Sequence, residues 1–285
     1  MKSQSALKWL IPPIFLLALI AAGFGLFDPT PGEPFPYTNH RGESVTINGS
    51  GLYFYDTVSS AAQMQGNDLI TLIVGLPLLA FSTRWAFRGS LRGRLLLTGT
   101  LGFFLYTYMS MSTLASYNHF FLVYVALFTL SLYAFILAMM SFDLAALSGH
   151  FSEKLPRGWI AGLEFVVAAF LGLAWLARII MPLAQNQTPA LENTTTLVIQ
   201  FMDLALIAPA AVLGGILLLR KSAWGYLLAS VMLTKGVTMG LGVSAMGINM
   251  ALKGMPDSLG ILIPFLLITA ATLTMTLILL KHVKE

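Results

Sequence analysis

Long apolar stretches alternate with short polar segments along the whole chain. Each of eight stretches reaches the roughly 20 residues that a helix needs to cross a bilayer. These stretches cover residues 9–27, 57–81, 95–113, 120–142, 159–183, 194–219, 224–248 and 259–280. The pattern predicts an all-α polytopic transmembrane bundle of about eight spans, with residues 1–285 forming a single integral membrane domain.

Two of these stretches contain the same polar pattern, Gln-x-x-Asp-Leu, at residues 65–69 and 200–204. Each copy is followed by a proline-containing apolar run, a basic turn and the sequence Ser-x-x-Gly-x-Leu-Leu. The match pairs Asp68 with Asp203 and Ser90 with Ser222. It predicts a parallel 4+4 internal repeat, with four-helix halves at residues 1–150 and 151–285. The alternative is a chance match between apolar sequences.

The composition excludes a soluble domain. Hydrophobic residues make up 57% of the chain, charged residues only 10%, and the mean hydropathy is +0.80. This much apolar surface exceeds what one aqueous core could bury. The chain has no cysteine, which excludes disulfides, thiol catalysis and cysteine-ligated metals.

The positions of Lys and Arg predict the orientation, because positive charge near the ends of spans is retained in the cytoplasm. With both termini inside, most basic residues fall in inner segments. They are Lys2, Lys8, Arg84, Arg88, Arg92, Arg94, Lys154, Arg157, Arg220, Lys221, Lys281 and Lys284. The net charge of +4 therefore reflects topology, and no nucleic-acid partner is indicated. We expect a multi-pass protein of the plasma membrane, in a bacterial inner membrane.

The outer loop at residues 28–56 is the only sizeable segment outside the predicted spans. Its proline-rich start favours an extended path. Residues 44–47 and 52–55 flank an Asn-Gly-Ser-Gly sequence, which predicts a small β-hairpin. The aromatic residues 53–55 are expected at the lipid interface, or alternatively as a lid over a ligand.

Besides Glu164, four charged residues lie within the predicted spans: Asp68, Arg178, Asp203 and Lys235. Each costs about 2.5 to 3.5 kcal/mol on insertion scales, so each needs a partner or a watery cavity. We expect all four to meet in the outer half of the bundle. They could form two structural ion pairs, Arg178 with Asp203 and Lys235 with Asp68, or line a polar cavity. The neighbouring residues that would add hydrogen bonds in such a cavity are Gln65, Asn67 and Gln200.

Glu164 lies near the inner end of the fifth predicted span, with no basic partner in a neighbouring span. It is expected to reach the interface and pair with Arg157 or Lys154. The alternative is an inner station that accepts protons.

Sequence motifs for catalysis and metal binding are missing. The four histidines form no His-x-x-His or Glu-x-x-His pair, and we expect no metal site and no cofactor. There is also no nucleophile elbow and no phosphate loop. The sequence thus favours a non-enzyme without deciding the matter. The basic turn at residues 84–94 is expected to contact anionic lipid headgroups, or to dock a protein partner.

Two blocks carry a resemblance to a known group of proteins. One is Gly-Leu-Tyr-Phe-Tyr-Asp at 51–56, leading to Ala-Ala-Gln at 61–63. The other is Arg-Gly-Ser-Leu-Arg-Gly-Arg-Leu-Leu-Leu at 88–97, with Phe-Leu-Tyr-Thr-Tyr at 104–108. They resemble multi-pass membrane proteins of unknown function found in many bacteria. The resemblance implies a bacterial membrane location and brings no substrate or site residues.

These observations predict the transport or binding of a small polar solute or ion, in contact with membrane lipids. In this hypothesis Asp68 and Asp203 bind or titrate, while Arg178 and Lys235 balance their charge. One alternative is a membrane sensor or assembly subunit that works with a protein partner or as a homo-oligomer. The other is an intramembrane enzyme that modifies lipids.

Overall fold

The computed structural model describes residues 4–285, with side chains from Ser5 onward, so Lys2 lies outside the described range. Helices account for most of the fold. They are α1 Gln4–Phe27, α2 Val58–Ile70, α3 Leu76–Phe87, α4 Leu91–Leu114, α5 Phe121–Met140, α6 Leu144–Leu147, α7 Arg157–Ala184, α8 Val198–Met202, α9 Ala208–Leu219, α10 Ala223–Leu252 and α11 Leu262–Lys281. The strands are β1 Phe35–Thr38 and β2 Ser44–Ile47, and the 3-10 turns are Ser148–His150 and Pro256–Ile261.

Seven helices within residues 4–285 are long and apolar enough to cross a membrane. Two of the seven are composite: α2 and α3 join into Val58–Phe87, and α8 and α9 join into Val198–Leu219. Helix α4, which corresponds to the third predicted span, is not among them, although it has 24 residues. Its Thr, Ser, Tyr and Gly residues lower its hydropathy, and most of its side chains are buried against other helices. The chain is a helical membrane protein.

Helices α4 and α10 form the centre of the bundle. Helix α4 packs against α3, α5 and α10, and α10 also packs against α2, α9 and α11. Small residues permit the close approach, as at Gly99, where an added Cβ would lie 2.5 Å from the Cβ of Thr234. Close packing of small residues is the usual way in which membrane helices associate.

Both composite helices contain a π-turn, Thr71–Gly75 in one and Asp203–Ile207 in the other. Each π-turn ends two residues before a proline, Pro77 or Pro209. Proline has no N–H for the carbonyl four residues earlier, and its ring clashes with that carbonyl. The helix responds with wider bonds, from Leu76 N–H to the Thr71 carbonyl and from Ala208 N–H to the Asp203 carbonyl.

The two segments keep the same spacing after their π-turns. Each continues with a 12-residue helix and a short basic turn, and each then packs a glycine, Gly93 or Gly225, against the end of the preceding helix. An added Cβ on either glycine would lie within 2.5 Å of backbone atoms, so larger residues do not fit there. When the two segments are aligned on their π-turns, Asp203 aligns with Thr71. It does not align with Asp68, because Asp68 comes three residues before its π-turn.

The outer loop contains a hairpin, but the strand that pairs with residues 44–47 is not the predicted one. Strand β2 pairs with β1, in the proline-rich segment that was expected to be irregular, and residues 52–55 form turns. Pro36 is accommodated because a two-stranded sheet has only edge strands. The connecting turn is stabilised by Asn39, whose Oδ1 accepts bonds from the N–H groups of Arg41 and Glu43. This side-chain turn was not recognised in the sequence.

Candidate functional site

A cavity of about 270 Å³ lies between the helices of both halves. Helices α2, α4, α7 and α10 contribute most of its lining, and most of the lining is apolar. Its methionines are Met64, Met111, Met239, Met246 and Met250. Because methionine is flexible and polarisable, this wall adapts to ligands of different shape.

Asp203 lies on the cavity wall and is fully buried, with 0% of its surface exposed. Its Oδ1 accepts a hydrogen bond from the Tyr106 hydroxyl at 2.6 Å, and its Oδ2 accepts one from Trp175 Nε1 at 2.9 Å. Both carboxylate oxygens are thus used as acceptors. Its position at the start of a π-turn is typical of functional sites in helices.

Lys235 lies on the same wall and is 4% exposed. Its ammonium nitrogen lies 3.4 Å from the centre of the Tyr106 ring, a favourable cation–π arrangement. Within residues 4–285, the ammonium forms no hydrogen bond and no ion pair. The buried ammonium thus contacts an aromatic ring but has no hydrogen-bond acceptor among the described residues, although it lies beside a cavity.

Three polar side chains, Gln65, Asn67 and Gln200, were predicted to form hydrogen bonds in the cavity, but only one of them lines it. Asn67 lines the cavity. Gln65 does not line it, and its Oε1 accepts a hydrogen bond from Asn249 Nδ2 at 3.3 Å. Gln200 is buried and also lies away from the lining residues.

Asp68 is buried outside this cavity, under the outer loop. Its Oδ2 accepts a hydrogen bond of 2.5 Å from Tyr53, which the sequence placed at the lipid interface but which is buried. Burial, and then the charge of Asp68, raises the pKa of Tyr53 well above its usual range, so the phenol remains a donor. Gly25 of α1 packs directly against this pair, since an added Cβ would overlap Asp68 Oδ2.

The expected meeting of four charged groups is not found among residues 4–285. Neither predicted ion pair, Arg178 with Asp203 or Lys235 with Asp68, is present. Arg178 is exposed and donates to the Ala190 carbonyl at 3.3 Å. Asp68 and Asp203 also lie at different distances from the starts of their helices, because α8 begins at Val198 and not at residue 194, where the predicted span begins. Asp203 then lies about 8 Å along its helix and Asp68 about 15 Å along its own.

Glu164 is also not paired as predicted. It is 3% exposed, and neither of its carboxyl oxygens has a hydrogen-bond partner. It faces Gly214 of α9 and does not line the cavity around Lys235. Arg157 instead bonds the Tyr226 hydroxyl and forms an ion pair with Glu153.

Sequence reasoning missed two residues of the site, Tyr106 and Trp175. They are uncharged aromatic residues inside apolar stretches, so a search for charged side chains in the spans does not find them. The available signal is that buried Tyr and Trp need a hydrogen-bond acceptor, and Asp203 provides one for both.

Comparison of the chain with protein-family models, with curated proteins and with solved structures finds no match. The functional assignment therefore depends on the geometry of this site.

Proposed function

We propose that this membrane protein binds a small neutral amphiphile in the cavity between α4, α7 and α10. The observation that carries the proposal is the Lys235 ammonium, which is buried beside the cavity and has no hydrogen-bond acceptor within residues 4–285. Buried donors without acceptors cost free energy, and an oxygen atom of a ligand would remove that cost.

The charges of the site favour a ligand that carries no net charge. Asp203 and Lys235 already balance one another, and both are excluded from solvent. A charged head group would add an uncompensated charge to this buried pair. A carbonyl oxygen accepts from Lys235 without that penalty.

The remaining lining favours an apolar body attached to the polar head. The five methionines are joined by Phe103, Leu171 and Phe265 on the walls. An alkyl or flat carbon skeleton gains free energy when it enters such surroundings. The proposal replaces the predicted small polar solute or ion with a neutral amphiphile that carries one oxygen acceptor.

We also propose that α4 is the eighth span, with both termini on the cytoplasmic side of a bacterial inner membrane. The length of α4 and its central position support the eighth span. The distribution of basic residues supports the orientation. The matching π-turns, prolines and glycines of the two composite helices support a parallel internal repeat.

The binding proposal is tested with tritium-labelled decan-2-one and protein in lipid nanodiscs, with empty nanodiscs as background. We expect saturable binding, weakened about tenfold or more in Lys235→Met, because a hydrogen bond from a charged donor contributes about 1.5 to 3 kcal/mol. Unlabelled decanoate and decane should compete less well than decan-2-one itself.

The matched control is Lys253→Met, which changes an exposed lysine at the end of α10 and should leave binding unchanged. Thermal unfolding shows that both variants are folded. Equal binding by wild type and Lys235→Met would contradict the proposal, as would the absence of saturable binding. Uptake of the same ketone into proteoliposomes tests the predicted transport.

A further inference from the structure

A second concave site, separate from the cavity around Lys235, lies on the outside of the bundle between α1 and α3. It is a groove of about 620 Å³, within the range of ligand-binding sites. Its walls include Ile11 and Phe15 of α1 and Leu79 of α3. Arg84 and Arg88, in the last turn of α3, lie at one end of the groove.

The four arginines of the basic turn at residues 84–94 divide into two pairs. Arg92 bonds the Val283 carbonyl and lies 3.6 Å from Glu285, and Arg94 bonds the Ser141 carbonyl. In the described part of the chain, Arg84 and Arg88 have neither a hydrogen bond from the side chain nor an acidic partner. Arg92 and Arg94 therefore bind groups of the protein itself, whereas Arg84 and Arg88, at the groove, have no such partner among the described residues.

Thr83 supplies a further polar group on the groove wall. Its hydroxyl oxygen is buried and has no hydrogen-bond partner within residues 4–285. Arg84 and Arg88 are four residues apart, so both point from the same face of α3. The groove thus combines an apolar channel with two cations at one end.

We infer that this groove binds one anionic phospholipid, with an acyl chain along the apolar walls and the phosphate between Arg84 and Arg88. Guanidinium groups bind phosphate oxygens in a bidentate manner, and two of them without acidic partners favour an anion. The ends of membrane-spanning helices are also the depth at which phosphates lie. The charge at this end therefore selects an anionic lipid over a zwitterionic one.

The test uses native mass spectrometry of delipidated protein titrated with dioleoyl phosphatidylglycerol or dioleoyl phosphatidylcholine. We expect one tightly bound phosphatidylglycerol, with its affinity reduced about tenfold or more in Arg84→Gln/Arg88→Gln. Binding of phosphatidylcholine should be weaker and should not change. Ala80→Trp, which fills the groove, should remove the tight phosphatidylglycerol even though both arginines remain.

The matched control is Arg220→Gln. Arg220 ends α9 as Arg88 ends α3, with nearly the same backbone angles, φ −78° against −81°. It is exposed but does not line the groove, so its loss should leave the affinity unchanged. The inference is overturned if Arg220→Gln weakens binding as much as the double variant, or if Ala80→Trp binds like wild type.

Discussion

Asp68 and Asp203 stand in the same five-residue pattern, yet their surroundings differ. Asp68 has one hydrogen-bond donor, Tyr53, which belongs to the outer loop, and it lies away from the cavity. Asp203 has two donors from separate helices, lies on the cavity wall and shares Tyr106 with a buried lysine. The first carboxylate ties a loop to the bundle, and the second connects α4 and α7 at the wall of the cavity.

The difference follows from the register of each aspartate relative to its π-turn. Asp203 opens the π-turn, whereas Asp68 lies in regular helix three residues before the turn at Thr71. A three-residue shift rotates a helical side chain by about 60° and moves it by nearly one turn. An identical short motif can therefore present its acid to a different neighbour.

We expect the largest effect on folding stability from a change in pH. The group responsible is Asp56, which lies in the same outer loop as Tyr53. Burial raises the pKa of Asp56 to about 6, although the hydrogen bond donated by the Ser116 N–H acts to lower this pKa. The folded state thus holds this proton more tightly than the unfolded state does. Its contribution is fully present below about pH 4 and is lost as pH rises through 6, at most about 3 kcal/mol.

Denaturation in mixed micelles between pH 4 and 8 measures this effect, with Asp56→Asn as the comparison. We expect the wild type to lose stability over this window relative to the variant. Parallel pH profiles for the two proteins would contradict the role of Asp56. Binding of decan-2-one should not follow the Asp56 titration, because Asp56 does not line the cavity.

The next effect is expected from Gly25→Ala. The new methyl group would overlap Asp68 Oδ2 and lie 2.8 Å from the Tyr53 hydroxyl. Overpacking of this kind costs about 1 to 3 kcal/mol. Gly23→Ala is the matched control, because a Cβ there meets nothing within 4 Å. Equal unfolding free energies for the two variants would show that Asp68 is not packed as described.

Double-mutant cycles measure a smaller effect and test whether Asp68 and Asp203 belong to separate hydrogen-bond networks. Tyr53→Phe and Asp68→Asn should couple by about 1 to 2 kcal/mol in unfolding free energy, because they share one buried hydrogen bond. Tyr106→Phe and Asp68→Asn should be additive within about 0.5 kcal/mol. Strong coupling between Tyr106 and Asp68 would mean that the two carboxylates belong to one network.

Hydropathy predicts the helices, because the backbone N–H and C=O groups of a long apolar run in lipid must form hydrogen bonds within the protein. Their ends were predicted within a few residues, as in α5 and α7. The π-turns could also have been inferred from Pro77 and Pro209, since proline disrupts the ladder just before it.

The partners of the buried charges could not be predicted from local pattern. Tyr106 and Trp175 reach Asp203 from helices that are distant along the chain. Only the packing of α4 and α7 against the segment of Asp203 brings them together. Strand β1 was missed for a related reason. Its pairing is stabilised by the Asn39 turn, whereas the prolines in that segment suggested an irregular path.

The most direct measurement of the central claim is native mass spectrometry of decan-2-one binding to wild type, Asp68→Asn and Asp203→Asn. The Asp203 variant removes the negative charge that balances Lys235 and an acceptor used by Tyr106 and Trp175, so we expect its binding to fall about tenfold or more. Asp68→Asn should bind like wild type, although it unfolds more easily. Loss of binding in Asp68→Asn, with binding retained in Asp203→Asn, would contradict the account.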